Sequence, residues 1–151
     1  MLEKIKTLRE KTGAGVMDAK RALEEANGDI QRAENIIIEK GLAKMEKRAE
    51  REVTCGRIYA YIHATGEVGA MIEVACETDF VAKTDEFNNL CKEMAMQVAS
   101  MEPEDVDELL EQDYIRDGSK KIKDLLTEFI SKTGENTKIV RFVRFELGVD
   151  V

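Results

Sequence analysis

The sequence predicts an α+β protein, with a three-helix module at the N-terminus followed by a three-stranded antiparallel sheet packed with helices. Two observations carry this. Apolar residues recur at helical spacing through residues 1–41, and the period then drops to two over residues 57–76. The helical period returns before a last alternating run at residues 139–147, which can join the same sheet.

The first module begins with Leu2, Ile5 and Leu8 on one helical face, ending at Thr12-Gly13, where glycine suits a helix stop. A second helix follows Gly15, with Val16, Ala19, Ala22, Leu23 and Ala26 on one face and Asp18 near its positive N-terminal end. Asn27-Gly28 closes it. Asp29 is placed to cap a third helix whose apolar face is Ile30, Ala33, Ile36 and Ile37, ending before Gly41. Residues 1–41 thus resemble a ubiquitin-associated-type three-helix fold, a common docking module, although such a unit can also simply cap a larger domain.

Residues 42–54 form a charged linker, helical or flexible, whose charges suit a solvated face. Residues 55–151 form the α+β core domain. Arg57 to His63 and Val68 to Cys76 alternate around the turn residues Ala64-Thr65-Gly66-Glu67, which makes a hairpin. Ile58, Ala60 and Ile62 are expected on one face with Val68, Ala70, Ile72, Val74 and Cys76. A long helix follows with Phe87, Leu90, Cys91, Met94, Ala95, Val98 and Met101 in one stripe, ended by the single proline, Pro103. After an acidic stretch, Ile122, Leu125, Leu126, Phe129 and Ile130 mark a helix stopped at Lys132-Thr133-Gly134, and residues 139–147 supply the third strand.

Composition narrows the function. With one histidine, His63, there is no two-histidine metal site, and no nucleophile motif for that base to serve. Thr12-Gly13-Ala14-Gly15 lacks the Lys-Ser/Thr ending of a phosphate loop and no strand precedes it. Cys55, Cys76 and Cys91 are odd in number and widely spaced, as expected of buried reduced thiols rather than a zinc or redox pair. No cofactor or metal is expected, and an enzyme is disfavoured. The net charge of −8 argues against direct binding to nucleic acid. It is uneven: residues 1–50 carry 11 basic and 10 acidic side chains, so the rest of the chain carries −9. No apolar run reaches the ~20 residues that cross a bilayer, and the N-terminus lacks the apolar block of a signal peptide, so no membrane partner and a cytoplasmic location are expected.

One segment is not explained by packing. In Glu77-Thr78-Asp79-Phe80-Val81-Ala82-Lys83-Thr84, Phe80 lies beside carboxylates and a threonine, off both the strand alternation and the helical stripe. Such an aromatic either tucks back into the core or projects towards a partner. Residue type alone favours the core, because aromatics carry so much burial energy.

Four stretches, in order, resemble the elongation factor Ts family: Leu8 to Leu23 through Thr12-Gly13-Ala14-Gly15, Tyr61-Ile62-His63 with Val68-Gly69, Glu73 to Lys83 centred on Thr78-Asp79-Phe80-Val81, and Gly134-Glu135-Asn136 leading into Arg141 to Leu147. The resemblance implies a guanine-nucleotide exchange factor for elongation factor Tu, a role in protein biosynthesis without covalent chemistry. The partner would be met both GDP-bound and nucleotide-free. Asp79, Phe80, Val81 and Ala82 would help dislodge the magnesium ion, with Phe80 as the wedge. Arg9, Val16 and Met17 would be the contacts of the N-terminal module; for His63 a structural role is expected. Ala75, Val16 and Glu67 depart from the family's usual asparagine, methionine and basic residue. The chain also skips some tens of largely helical residues after Met101-Glu102-Pro103, and a homodimer would supply the missing surface. The competing expectation is a non-catalytic binding adaptor that uses the three-helix module alone. A small enzyme with Asp79 and Glu77 as paired acids is the weakest alternative, since no metal cluster, cofactor loop or nucleophile accompanies them.

Overall fold

The computed structural model describes residues 1–150, and the side chains of all of these except Leu42 and residues 44–48. It is an α+β protein with an N-terminal ubiquitin-associated-like three-helix module, followed by a three-stranded antiparallel sheet packed with helices. The chain divides into two compact units, one of Met1–Glu50 with Glu128–Gly134, the other of Arg51–Thr127 with Glu135 onward.

The first unit holds α1 (Leu2–Thr12), α2 (Val16–Glu25) and α3 (Ile30–Arg48). Helix α1 stops at Gly13, whose left-handed backbone (φ 69°) lets its N–H return to the Arg9 carbonyl. The core joins Ile5, Leu8, Ala19, Ala22, Leu23, Ala26 and Ala33, with Ile30, Ile36 and Ile37 packed against it. Asp29 caps α3 by accepting the Arg32 N–H at 3.0 Å.

Three expectations need correction here. Leu2 and Val16, each the first residue of its helix, are exposed. Helix α3 does not end before Gly41 but continues to Arg48. A helical glycine costs only ~1 kcal/mol against alanine, and strong helix formers (Leu42, Ala43, Lys44, Met45) follow it.

In the second unit, β1 (Cys55–Ile62), β2 (Val68–Cys76) and β5 (Thr137–Glu146) form an antiparallel sheet in the order β1-β2-β5. Helix α4 is one turn (Asp79–Ala82) and α5 (Asp85–Met101) lies across the sheet. On α5 Phe87, Leu90, Cys91, Met94, Ala95 and Val98 are buried as the stripe predicts, whereas Met101, in the last turn, is exposed. The helix ends at Glu102 in a left-handed cap. Helix α7 (Ile122–Thr133) buries Ile122, Phe129 and Ile130.

The hairpin register corrects the expected faces. Tyr61 pairs with Ala70, Tyr59 with Ile72 and Arg57 with Val74, so these share the helix-covered face. Ile58, Ala60 and Ile62 pair with Glu73, Met71 and Gly69 on the opposite, open face. Since side chains alternate with a period of two, one residue of register transfers a whole set of residues from core to surface. Helix α6 (Val106–Glu111) and the β3–β4 hairpin (Asp113–Tyr114, Asp117–Lys121) occupy the stretch expected only to be acidic. Buried Gln97 of α5 holds that hairpin: its amide N–H donates to the Asp113 carbonyl at 3.0 Å and its oxygen accepts the Ile115 N–H at 3.0 Å.

Gly56 is where β1 comes closest to its neighbour. Its φ is +147°, and a Cβ there would lie 2.1 Å from the Val74 carbonyl oxygen, which is backbone and cannot swing aside. Gly66, in the hairpin turn at φ +74°, has open space around it. Gly56→Ala should therefore cost about 3 kcal/mol or more and Gly66→Ala about 1 kcal/mol, read from urea unfolding midpoints. Equal losses would mean that the close approach at Gly56 is not a constraint.

Candidate partner-docking site

The segment after β2 is built by two threonines and tied down by two carboxylates. Thr78 caps α4, its hydroxyl accepting the Val81 N–H at 3.3 Å. Thr84 caps α5 in the same way through the Phe87 N–H at 3.2 Å, and donates its own hydroxyl to the Val81 carbonyl at 2.8 Å. A four-residue helix is thereby fixed at both ends.

Glu135 accepts the Thr78 N–H at 2.9 Å and the Thr78 hydroxyl at 2.6 Å. Glu77 accepts the Asn136 N–H at 2.6 Å, and the Asn136 amide donates to the Arg51 carbonyl at 2.8 Å. Three stretches far apart in sequence meet at the base of α4.

Within α4 the side chains divide sharply. Val81 and Ala82 are buried, anchoring the turn on the sheet-and-helix core. Phe80 is 82% exposed. The core position that its residue type favours is not the one it takes, because Thr78 and Thr84 set the phase of the turn and Val81 and Ala82 already fill the inward positions. Asp79 is exposed and pairs with Lys83 at 2.7 Å across one helical turn. The hydrogen bond it donates to Asp79, together with the charge of that carboxylate, raises the Lys83 ammonium above its ordinary range. Glu77 and Asp79 have separate partners, the Asn136 N–H and the Lys83 ammonium. Among the described residues no group of histidine, cysteine and carboxylate side chains could hold a metal ion.

In the first unit Val16 and Met17 project from the start of α2, both exposed, directly after the Gly15 cap. Arg9 clips the α1–α2 turn, its Nε donating to the Ala14 carbonyl at 3.3 Å. An apolar pair thus stands on a turn held by a charged side chain. His63 lies after β1 and is hydrogen-bonded through Nδ1 to the Tyr61 hydroxyl at 3.0 Å. The β2–β5 ladder, whose third strand the sequence pattern registered, and the Glu135–Thr78 tie, which it did not, are what place the Phe80 turn.

The family model described as Elongation factor TS matches residues 77–151. Curated relatives named Elongation factor Ts are similar over almost the whole chain. That of Thermoanaerobacter sp. (strain X514) is 45% identical, covering 95% of this chain and 93% of the relative. That of Carboxydothermus hydrogenoformans is 44% identical over 95% and 87%, and that of Thermotoga maritima 42% identical over 97% and 96%. The chain belongs to the elongation factor Ts family. Membership makes it a translation elongation factor, active in protein biosynthesis. The match to the Thermoanaerobacter elongation factor Ts extends over 189 residues, more than the 151 of this chain, so that relative carries residues absent here. No helix among the described residues is long and apolar enough to cross a membrane.

Glu135→Ala removes the acceptor of both Thr78 donors. The expected result is faster amide exchange at Val81 and a loss of about 1 kcal/mol in stability, since solvent can replace the lost bonds. Unchanged exchange at Val81 would show that α4 holds without this tie.

Proposed function

We propose that this elongation factor Ts family member is a guanine-nucleotide exchange factor for elongation factor Tu, acting in the cytoplasm without covalent chemistry of its own. The observation that carries it is the exposure of Phe80 on a turn capped at both ends. A large apolar side chain left in water forfeits roughly 1.5–3 kcal/mol of burial, which becomes available when a partner covers it. Asp79 positions the turn, Val81 and Ala82 anchor it, and residues 1–41 dock through Arg9, Val16 and Met17.

The physics of nucleotide release suits such a wedge. GTPases of this kind grip their nucleotide largely through phosphates held by backbone amides, a lysine and magnesium, so disturbing the ion weakens the whole set. Binding energy gained at Phe80 and at the N-terminal module offsets that loss. By linkage, whatever factor the exchanger lowers nucleotide affinity by, nucleotide lowers exchanger affinity by the same. A reversible exchanger needs a coupling of ~3 kcal/mol or more, since ~1.4 kcal/mol shifts an equilibrium only tenfold.

The test is release of a fluorescent GDP from purified elongation factor Tu. The wild-type chain should accelerate it, and Phe80→Ala should lose about tenfold or more, the equivalent of ~1.4 kcal/mol of coupling. Full activity in Phe80→Ala would remove the wedge from the mechanism. No acceleration by folded wild-type chain in excess would leave the adaptor function of residues 1–41 in its place.

The open face of the sheet supports a second partner, another copy of this chain. Ile58, Ile62, Met71 and Phe145 are all exposed on it, and register places Gly69 between Ile62 and Phe145. Because Gly69 has no side chain, Ile62 leans over it, within 2.7 Å of where a Cβ would be. Exposed apolar sheet surface of this kind is a common dimer interface. Light scattering should give a dimer mass for the wild type and a monomer mass for Ile62→Asp. A wild-type monomer at working concentration would discard the homodimer.

A further inference from the structure

Cys55 and Cys76 stand directly opposite one another, the first residue of β1 paired with the last residue of β2. Opposed residues of an antiparallel pair have Cα atoms roughly 4.5–5.5 Å apart and side chains on one face, inside the range that a disulfide spans. The two thiols differ in access. Cys55 is half-buried, whereas Cys76 is wholly buried, and both are free. Cys76 is also tied to the docking segment, its S–H donating to the Thr78 carbonyl at 3.2 Å. Thr78 is the cap of α4, two residues before Phe80.

We propose that Cys55 and Cys76 form a reversible intrachain disulfide under peroxide, and that closing it loosens the cap that holds the Phe80 turn. Cys55, the accessible thiol, attacks one peroxide oxygen as its thiolate. The O–O bond breaks, the other oxygen leaves as hydroxide and takes up a proton as water, and Cys55 becomes a sulfenic acid. The Cys76 sulfur then attacks the Cys55 sulfur. The S–O bond breaks, the S–S bond forms, and the hydroxyl leaves with the Cys76 proton as a second water. In sum two thiols lose two protons and two electrons, and one peroxide becomes two waters.

The environment of Cys76 suits a guarded second step. Burial, then the nearby Glu135 carboxylate, pushes its thiol up to about 11, and the Cys55 thiolate adds to the same effect. Cys76 therefore stays protonated and bonded to Thr78 until Cys55 has been oxidised beside it. Cys91 of α5, pushed up to about 12 chiefly by burial, also senses the charge of Cys76 and is the competing thiol. Once the disulfide forms, Cys76 has no S–H to donate, and the Thr78 carbonyl loses that partner.

The experiment treats the full chain with hydrogen peroxide, digests it without reduction and maps the cross-links by mass spectrometry. A peptide pair joining Cys55 to Cys76 is expected in the wild type and in Cys91→Ser, absent from Cys55→Ser and released by dithiothreitol. Cys55 found as sulfinic acid without a cross-link, or a Cys76–Cys91 or intermolecular bond as the main product, overturns the proposal. A second arm rests on the exchange function proposed above. GDP release by the oxidised wild type should fall about fivefold, as loss of one hydrogen bond at the cap would give, and recover on reduction. Peroxide-treated Cys55→Ser, with the same methionines exposed to oxidant, should keep its rate. Equal rates before and after closure would overturn the regulatory half. If the reduced chain releases no GDP at all, the exchange function falls while the mapped disulfide stands by itself.

Discussion

The arrangement around α4 depends on a reciprocal pair of carboxylate contacts between two segments nearly sixty residues apart. Glu77 receives the backbone N–H of Asn136, and Glu135 receives the backbone N–H and hydroxyl of Thr78. Hydrogen bonds to a charged acceptor are about twice as strong as neutral ones, and here they join the end of β2 to the start of β5. Asn136, itself buried, extends the tie to the Arg51 carbonyl. These ties fix backbone that would otherwise be a free loop.

That rigidity gives the exposure of Phe80 its meaning. A loose loop would let the ring fold down onto the nearest apolar surface, because an aromatic gains more from burial than a short loop loses in entropy. Thr78 and Thr84 prevent this by fixing both ends of one helical turn. The inward positions then fall to Val81 and Ala82, and the outward one to Phe80. The same tie brings Glu135 close to Cys76, so the redox pair, the cap and the exposed ring share one small region.

The sheet beneath is unequal on its two faces. Helix α5 covers one, and Arg144 of β5 completes the cover at its end: its guanidinium donates to the Ala99 carbonyl at 3.0 Å and pairs with Glu102 at 3.1 Å, beside the negative end of the helix. The other face carries exposed isoleucines, a methionine and a phenylalanine. A solvated antiparallel face is normally polar, so this one is suited to a partner.

Periodicity alone determined the α+β class, the three N-terminal helices, the hairpin, the α5 stripe and the third strand, because each has an apolar pattern whose repeat matches its geometry. The motif Thr78-Asp79-Phe80-Val81 was likewise legible as a segment that packing did not explain. Tertiary structure decided the rest. Which face of β1 is buried depends on register, so Ile58 and Ile62 could not be assigned from alternation alone. The β3–β4 hairpin is held by Gln97 on another element, and its own residues carry little apolar pattern. Whether Phe80 lies in or out depends on Glu135 and two threonine caps. The opposition of Cys55 and Cys76 exists only once the strands are paired. In each case the deciding contact joins residues far apart in the chain, and no local pattern records it.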